Sequence, residues 1–289
     1  MKTGKISIIT PGIFSTIQDS GRFGFKKYGV PVSGAMDHYA FRMVNLILGN
    51  QQDHAVMEIT MAGPVLQFSK STRICFCGGD FDLQLNDLKV APNEVIQIQE
   101  NDIFKIGRSK QGFRGYLGIS GGFQSETVLN SKSMYEGLTD EFRLSKNTSL
   151  AFNAENPSFE NNYSSVRFDD RYLADKYIPA YPGPEFSKLS KFQQLKIYET
   201  EFSLAASSNR MAIQFEGNFE NDLKGISSAP VIPGTVQLIP SGKLFVLGKD
   251  CQTTGGYPRV LQLSEYAFHV IAQKAPANLI QFKRLDYKN

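Results

Sequence analysis

Two stretches of this 289-residue chain gather side chains that could do chemistry. The first, STIQDSGRFGFKKYGVPVSGAMD, runs from Ser15 to Asp37 and sets Gln18, Asp19, Arg22, Lys26, Ser33 and Asp37 among Gly21, Gly24, Gly29 and Gly34. Glycines let backbone amides approach a ligand closely. Arg22 could fork onto an anion through two parallel N–H bonds. It could equally pair with Asp19 and hold an irregular loop, and the residues leave both open. The second stretch, DCQTTGGYPR, spans Asp250 to Arg259. Gly255 and Gly256 can shape a concave nest of N–H donors for an oxyanion. Thr253 and Thr254 add hydroxyls, Gln252 an amide, and Tyr257 an aromatic face with a phenolic tip. Arg259 adds a permanent charge on a planar fork. The competing account is a wide strand connection with a glycine turn. A hairpin needs only about two to five loop residues, so the length favours binding.

Other chemistries lack their residues. The chain has no GxxxxGK[ST] loop, no Rossmann glycine spacing and no GxSxG elbow. His38, His54 and His269 are scattered, which argues against a histidine-based triad. Cys75 and Cys77 lie two apart in RICFC and read as buried strand thiols, while Cys251 sits inside the second stretch and could be functional. No Cys/His spacing suits a metal, and none is expected.

The elements that would position these residues are mainly β. VLQF (Val65 to Phe68), RICFC (Arg73 to Cys77), LQLNDLKV (Leu83 to Val90), EVIQI (Glu94 to Ile98), IFKIG (Ile103 to Gly107) and GYLGI (Gly115 to Ile119) alternate with period two. Asn86-Asp87 makes a credible hairpin turn. A helix should follow Asp37, with Ser33 as a rival cap and Ala40, Val44, Ile47 and Leu48 as its apolar stripe. Another should follow Ser264, with Glu265 suited to the positive end of its dipole. Alternation fails between about Asn153 and Glu185, where a polar run gives way to the proline-rich IPAYPGPE. Strands resume at LKIYE (Leu195 to Glu199), MAIQF (Met211 to Phe215), TVQLI (Thr235 to Ile239), LFVL (Leu244 to Leu247) and VLQL (Val260 to Leu263). This pattern divides the chain into 1–155, a linker over 156–185, and 186–289.

A hydrophobic fraction of 41% is enough for a real core, and a net charge of only +3 gives no electrostatic case for nucleic acid. No apolar run approaches the roughly 18 residues of a membrane helix. The N-terminus lacks the apolar core of a signal peptide, so a cytoplasmic protein is expected.

TIQDSGRFGFKKYGVPVSGAMD and CQTTGGYPR together resemble the signature of the KipA-type biotin-dependent carboxyltransferase family. That family includes the C subunit of 5-oxoprolinase and one half of the carboxyltransferase region of urea carboxylase. MEITMAGP (Met57 to Pro64), CGGDF (Cys77 to Phe81), YLGISGG (Tyr116 to Gly122), NRMAIQFEG (Asn209 to Gly217) and SSAPVIPGTVQL (Ser227 to Leu238) continue the resemblance in order over nearly the whole chain. Three places depart from it, one being the stretch before the central linker, which is more polar than the family leads one to expect. NSKSMY (Asn130 to Tyr135) stands where the family tends to have a glycine and then Ser-Arg-Ser-Thr, and Ala212 stands where glycine is usual.

The resemblance implies two cyclophilin-like β-barrel halves. It implies a KipI-type partner, a LamB/YcsF-type partner, and ATP-dependent opening of 5-oxoproline to glutamate with ATP and Mg in the complex. Opening a lactam by phosphorylating its carbonyl oxygen needs cations and N–H donors around a phosphate and a carboxylate. It also needs a carboxylate to manage a proton. Arg22, Arg259, the Gly255-Gly256 amides, Thr253 and Thr254 would supply the first set. Asp19 and Asp37 are candidates for the second, though a helix N-cap already accounts for Asp37. Gln18, Ser33, Gly34, Gln252 and Tyr257 complete the expected substrate contacts. The family also allows biotin-dependent carboxyl transfer, with biotin on a separate carrier since no Ala-Met-Lys-Met-like sequence is present. A third possibility is a regulator that binds a KipI-type kinase inhibitor.

Overall fold

The computed structural model describes residues 2–154 and 166–287. The chain divides into two compact units, Met1–Arg22 with Ser33–Leu173, and Phe23–Val32 with Ala174–Asn289. Both are mostly β and built on barrel-like sheets. No helix among the described residues is long and apolar enough to cross a membrane.

In the first unit the sheet runs Phe14–Gln18, Val56–Thr60, Ile103–Ile119, Val65–Phe68, Lys2–Thr10, Ser149–Ala154 and Phe123–Gln124. The sequence reads RICFC and LQL as separate strands, and IFKIG and GYLGI likewise. The structure joins each pair into one long strand, Thr72–Leu85 and Ile103–Ile119. Three register shifts, at Gly78/Asp80, Asp80/Phe81 and Phe81/Leu83, bend the first of these along its partner. A Cβ at Gly78 would lie 2.7 Å from the Arg114 carbonyl oxygen, so only glycine allows the approach. Asn86 and Asp87 both take positive φ, as a two-residue primed hairpin requires.

Helix α1 (His38–Leu48) begins at Asp37, whose carboxylate accepts from the Ala40 amide at 3.1 Å, and Ser33 does not cap it. Its buried side carries Ala40, Phe41, Val44 and Leu48, while Ile47 is only half-buried. The helix packs on the two long strands, and Gly118 makes room, since a Cβ there would meet Val44 at 2.1 Å.

The second sheet runs Glu201–Ser203, Leu279–Arg284, Tyr177–Pro182, Arg259–Leu263, Thr235–Leu238, Leu244–Leu247 and Ala212–Gln214. IPAYP, placed in the linker by its prolines, is therefore a strand of this sheet. A proline keeps its carbonyl acceptor, and Pro179 uses it to take the Ser264 amide at 3.1 Å. The polar part of the expected linker, residues 156–165, lies outside the described residues.

LKIYE, read as a strand, is instead the end of helix α2 (Lys191–Glu199). Ser190 and Gln193 form a reciprocal capping box that starts this helix, and only Ile197 of the apparent alternation is buried. Helix α3 (Glu265–Ala272) begins at Ser264, whose hydroxyl accepts from the Ala267 amide.

Candidate functional site

The first glycine-bearing segment is divided between the units: Phe23–Val32 belongs to the second and the rest to the first. In the first unit Asp19 is 8% exposed, and its carboxylate accepts four hydrogen bonds. Oδ1 takes the Gly21 amide at 2.8 Å and the Ser131 and Ser133 hydroxyls, each at 2.7 Å. Oδ2 takes the Lys132 amide at 2.6 Å. Three of these bonds fall on Oδ1 and one on Oδ2, so most of the carboxylate's acceptor capacity is used inside the fold. It is a staple between residues 19–21 and 131–133.

Arg22 is fully buried beside it. Its Nη2 donates to the Ser133 carbonyl at 2.6 Å and its Nε to the Val128 carbonyl at 3.3 Å. This guanidinium is therefore not an open anion clamp. It holds the same 128–133 segment from its carbonyl side.

Gln18 is also turned inward. Its amide nitrogen donates to Thr16 and to the Met134 carbonyl, and its oxygen accepts the Gly34 amide. At Gly34, φ is +89° and a Cβ would lie 2.9 Å from the Ser20 carbonyl oxygen. Ser33 is buried at φ 56°, and its hydroxyl has no hydrogen-bond partner among the described residues. A buried, left-handed serine with an idle hydroxyl is the one strained position of this segment that internal bonding leaves unexplained.

Asp37 is fully buried and belongs to a network that the sequence did not announce. Tyr172 donates to its Oδ2 at 2.5 Å. The Asp37 amide donates to the Tyr116 oxygen, and Tyr116 donates in turn to Glu58 at 2.8 Å. Glu58 also accepts the Met36 amide at 2.7 Å and faces Arg114 at 3.8 Å. Burial, reinforced by the neighbouring carboxylates, holds both phenols well above their ordinary pKa, so they remain donors. Asp37 thus anchors α1 to the sheet.

The second stretch is built differently. Thr254–Gly255 pairs with Ala229–Pro230 in a two-stranded ladder. Neither Gly255 nor Gly256 takes a positive φ, so the pair does not form the alternating-handed nest. Gln252, Thr254 and Tyr257 are exposed, and Thr253 and both glycines are half-buried. The side chains of Gln252, Thr253 and Thr254 make no hydrogen bond among the described residues. Cys251 is 3% exposed, and burial pushes its thiol up to about 11, which leaves it a thiol rather than a nucleophilic thiolate near neutral pH.

Arg259 is neutralised. Its Nε and Nη2 take the two Glu185 oxygens at 3.0 and 2.9 Å, and its Nη1 donates to the Pro230 carbonyl at 3.0 Å. The pair holds the Glu185 carboxyl below its ordinary value. Gly183 lets Glu185 reach this position: a Cβ there would lie 2.2 Å from the Arg259 carbonyl oxygen. At the start of the loop, Arg210 forks Asp250 in the same way at 2.8 and 3.1 Å.

Part of the first segment does reach this loop, through Lys26 rather than Arg22. The Lys26 ammonium donates to the Val231 carbonyl at 3.4 Å, and the Val231 amide donates to the Thr253 carbonyl at 3.1 Å. Sequence reading missed Glu58, Arg114, Tyr116, Tyr172, Glu185 and Arg210. The available signal was that Glu58, Tyr116 and Arg210 lie inside the motif-like pieces MEITMAGP, YLGISGG and NRMAIQFEG. No group of three His, Cys, Asp or Glu among the described residues could hold a metal.

Residues 28–284 match the family model described as "Carboxyltransferase domain, subdomain A and B", and the chain belongs to that family. It is 30% identical over 280 residues to the C subunit of 5-oxoprolinase from Haemophilus influenzae, covering 94% of this chain and 88% of that protein. It is 29% identical to the Escherichia coli protein of the same name, covering 93% and 87%. The crystal structure of the Kluyveromyces lactis urea amidolyase superposes with a TM-score of 0.84 at 25% identity, covering 97% of this chain and 19% of that one.

Proposed function

We propose that this protein is the C-type subunit of an ATP-dependent 5-oxoprolinase, acting with KipI-type and LamB/YcsF-type partners. The observation that carries this reading is the end-to-end similarity to two proteins named as C subunits of 5-oxoprolinase, over 88% and 87% of their lengths. In the reaction, 5-oxoproline, ATP and two waters give glutamate, ADP and phosphate, and the ring C–N bond breaks. ATP drives the opening of an otherwise poor electrophile. This chain's part lies in the loop of the second unit. Its unused donors at Gln252, Thr253 and Thr254 suit a polar anionic substrate, with Tyr257 as an adjacent aromatic face. The Asp19 and Asp37 clusters keep the scaffold in shape, because both carboxylates are buried and hydrogen-bonded within the fold.

The similarity to urea amidolyase supports a second reading, biotin-dependent carboxyl transfer with biotin on a separate carrier. Co-purification with the two partner proteins, followed by an assay for glutamate released from 5-oxoproline, separates the two. The first reading predicts ATP-dependent release that avidin does not inhibit. Avidin-sensitive carboxyl transfer without glutamate release would replace it with the second. The chain alone should show little turnover.

A further inference from the structure

Building on that reading of the loop, we propose that Lys26, not Arg259, is the cation that meets an anionic ligand there. It would form a subsite for a single oxyanion, carboxylate or phosphoryl, in the second unit. The sequence favours Arg259, but both arginines at this loop already fork a carboxylate, Arg259 with Glu185 and Arg210 with Asp250. Each pair is neutral as a unit. Turning either guanidinium toward a ligand would strand a largely buried carboxylate, which is strongly unfavourable.

Lys26 differs on every count. It is half-buried and has no carboxylate partner among the described residues. Its one hydrogen bond is long, at 3.4 Å to the Val231 carbonyl. An ammonium has three donors, so two remain for a ligand. Val231 is bonded to Thr253, and the next residues pair in the Ala229–Pro230 and Thr254–Gly255 ladder, so the ammonium is tied to the strand beside the loop. The Cys251 thiol registers the same proximity, because the Lys26 charge opposes the upward push of burial.

The turn that carries Lys26 is shaped to present it. Lys26–Tyr28 is a single 3₁₀ turn closed by Gly29 at φ 81°, whose amide bonds the Lys26 carbonyl at 2.9 Å. It is entered through Gly24 at φ +90°. A Cβ at either glycine would meet nothing within 4 Å, so these glycines serve the backbone conformation rather than close packing. One cation with no carboxylate partner among the described residues is thus linked, through Val231, to the backbone of the loop that carries Gln252, Thr253 and Thr254, whose side-chain hydrogen-bonding groups are also unused. That is the donor set a small oxyanion requires.

The test is a titration of the full chain with sodium 5-oxoprolinate and, separately, with inorganic phosphate. It is followed by the amide resonances of Gln252 to Gly256. Wild type and Lys26→Arg should shift saturably with at least one of the two. Lys26→Gln should weaken that affinity by about tenfold, as expected for removing one charge at contact distance. The double variant Glu185→Gln/Arg259→Gln, which removes the neutral pair without stranding a charge, should bind within about twofold of wild type. A response to 5-oxoprolinate alone assigns a carboxylate subsite, and a response to phosphate alone a phosphoryl one. Unchanged affinity in Lys26→Gln, or no saturable shift in wild type with either anion, overturns the proposal. Lys26-dependent binding in a complex that releases no glutamate would keep the subsite and strike the assigned reaction instead.

Discussion

Asp19 in the first unit and Arg259 in the second both sit in glycine-bearing segments rich in hydroxyls and amides. Their surroundings differ in one respect. Around Asp19 the donors and acceptors are matched to each other: four bonds into the carboxylate, and Arg22 on the carbonyls of the same partner segment. Around Arg259 the charges are matched, but the polar side chains between them are not. Gln252 and Thr254 are exposed and Thr253 half-buried, and their side chains make no hydrogen bond among the described residues. Residue composition alone does not separate a staple from a binding surface. What separates them is whether the polar groups are consumed internally, since a buried group must be.

The largest effect that could break this comparison is at Asp19. Asp19→Ala strands four donors and should cost about 3–5 kcal/mol in urea denaturation. A loss near zero would mean that the cluster is not the staple described. Next is Gly183→Ala, where the new methyl would lie 2.2 Å from the Arg259 carbonyl oxygen. Overpacking there should cost about 1–3 kcal/mol. Gly256→Ala is its control, because the nearest atom is 3.6 Å away and φ is not positive. It should stay within about 0.5 kcal/mol, and a larger loss would show that the loop is packed rather than open.

The Glu185–Arg259 pair should contribute less, about 1 kcal/mol after allowance for its partial exposure. Arg259 holds the Glu185 carboxyl below its ordinary 4.5. The pair therefore contributes fully above about that pH and loses its contribution as pH falls through the lower folded-state value. The difference in stability between wild type and Glu185→Gln should shrink on acidification through that window. If it grows, the sign of this interaction is wrong. The smallest effect is at Cys251, whose alkylation rate should climb toward a midpoint near pH 11, in line with a thiol raised to about 11. A midpoint near the ordinary 9.0 would place that thiol in solvent.

The strands were legible in the sequence because alternation and turn residues are local signals, and Asp37 and Ser264 marked two helices for the same reason. LKIYE misled because Leu195 and Ile197 alternate as a strand would. The capping pair Ser190 and Gln193 was the better guide to α2. Tyr177–Pro182 was hidden by its prolines, whose carbonyls still serve the sheet. At the site, Gln18, Asp19, Arg22 and Asp37 stood out by type and spacing, yet their direction could not be read. Asp19 is completed by Ser131 and Ser133, more than a hundred residues away. Glu58 meets Tyr116 only because sheet register sets them opposite each other. The Glu185–Arg259 and Arg210–Asp250 pairs are likewise made by the fold, and the first of them turns an apparent anion clamp into a neutral pair.

The most direct test of the division between scaffold and binding loop uses one chain with Gln252, Thr253 and Thr254 all changed to alanine, assembled with the partner proteins. These side chains bond to nothing within the described protein. The melting temperature should therefore stay within about 2 °C of wild type, while ATP-dependent glutamate release from 5-oxoproline falls by at least about tenfold. Full release with an unchanged melting temperature would contradict the account, because the loop's free donors would then have no part in the reaction.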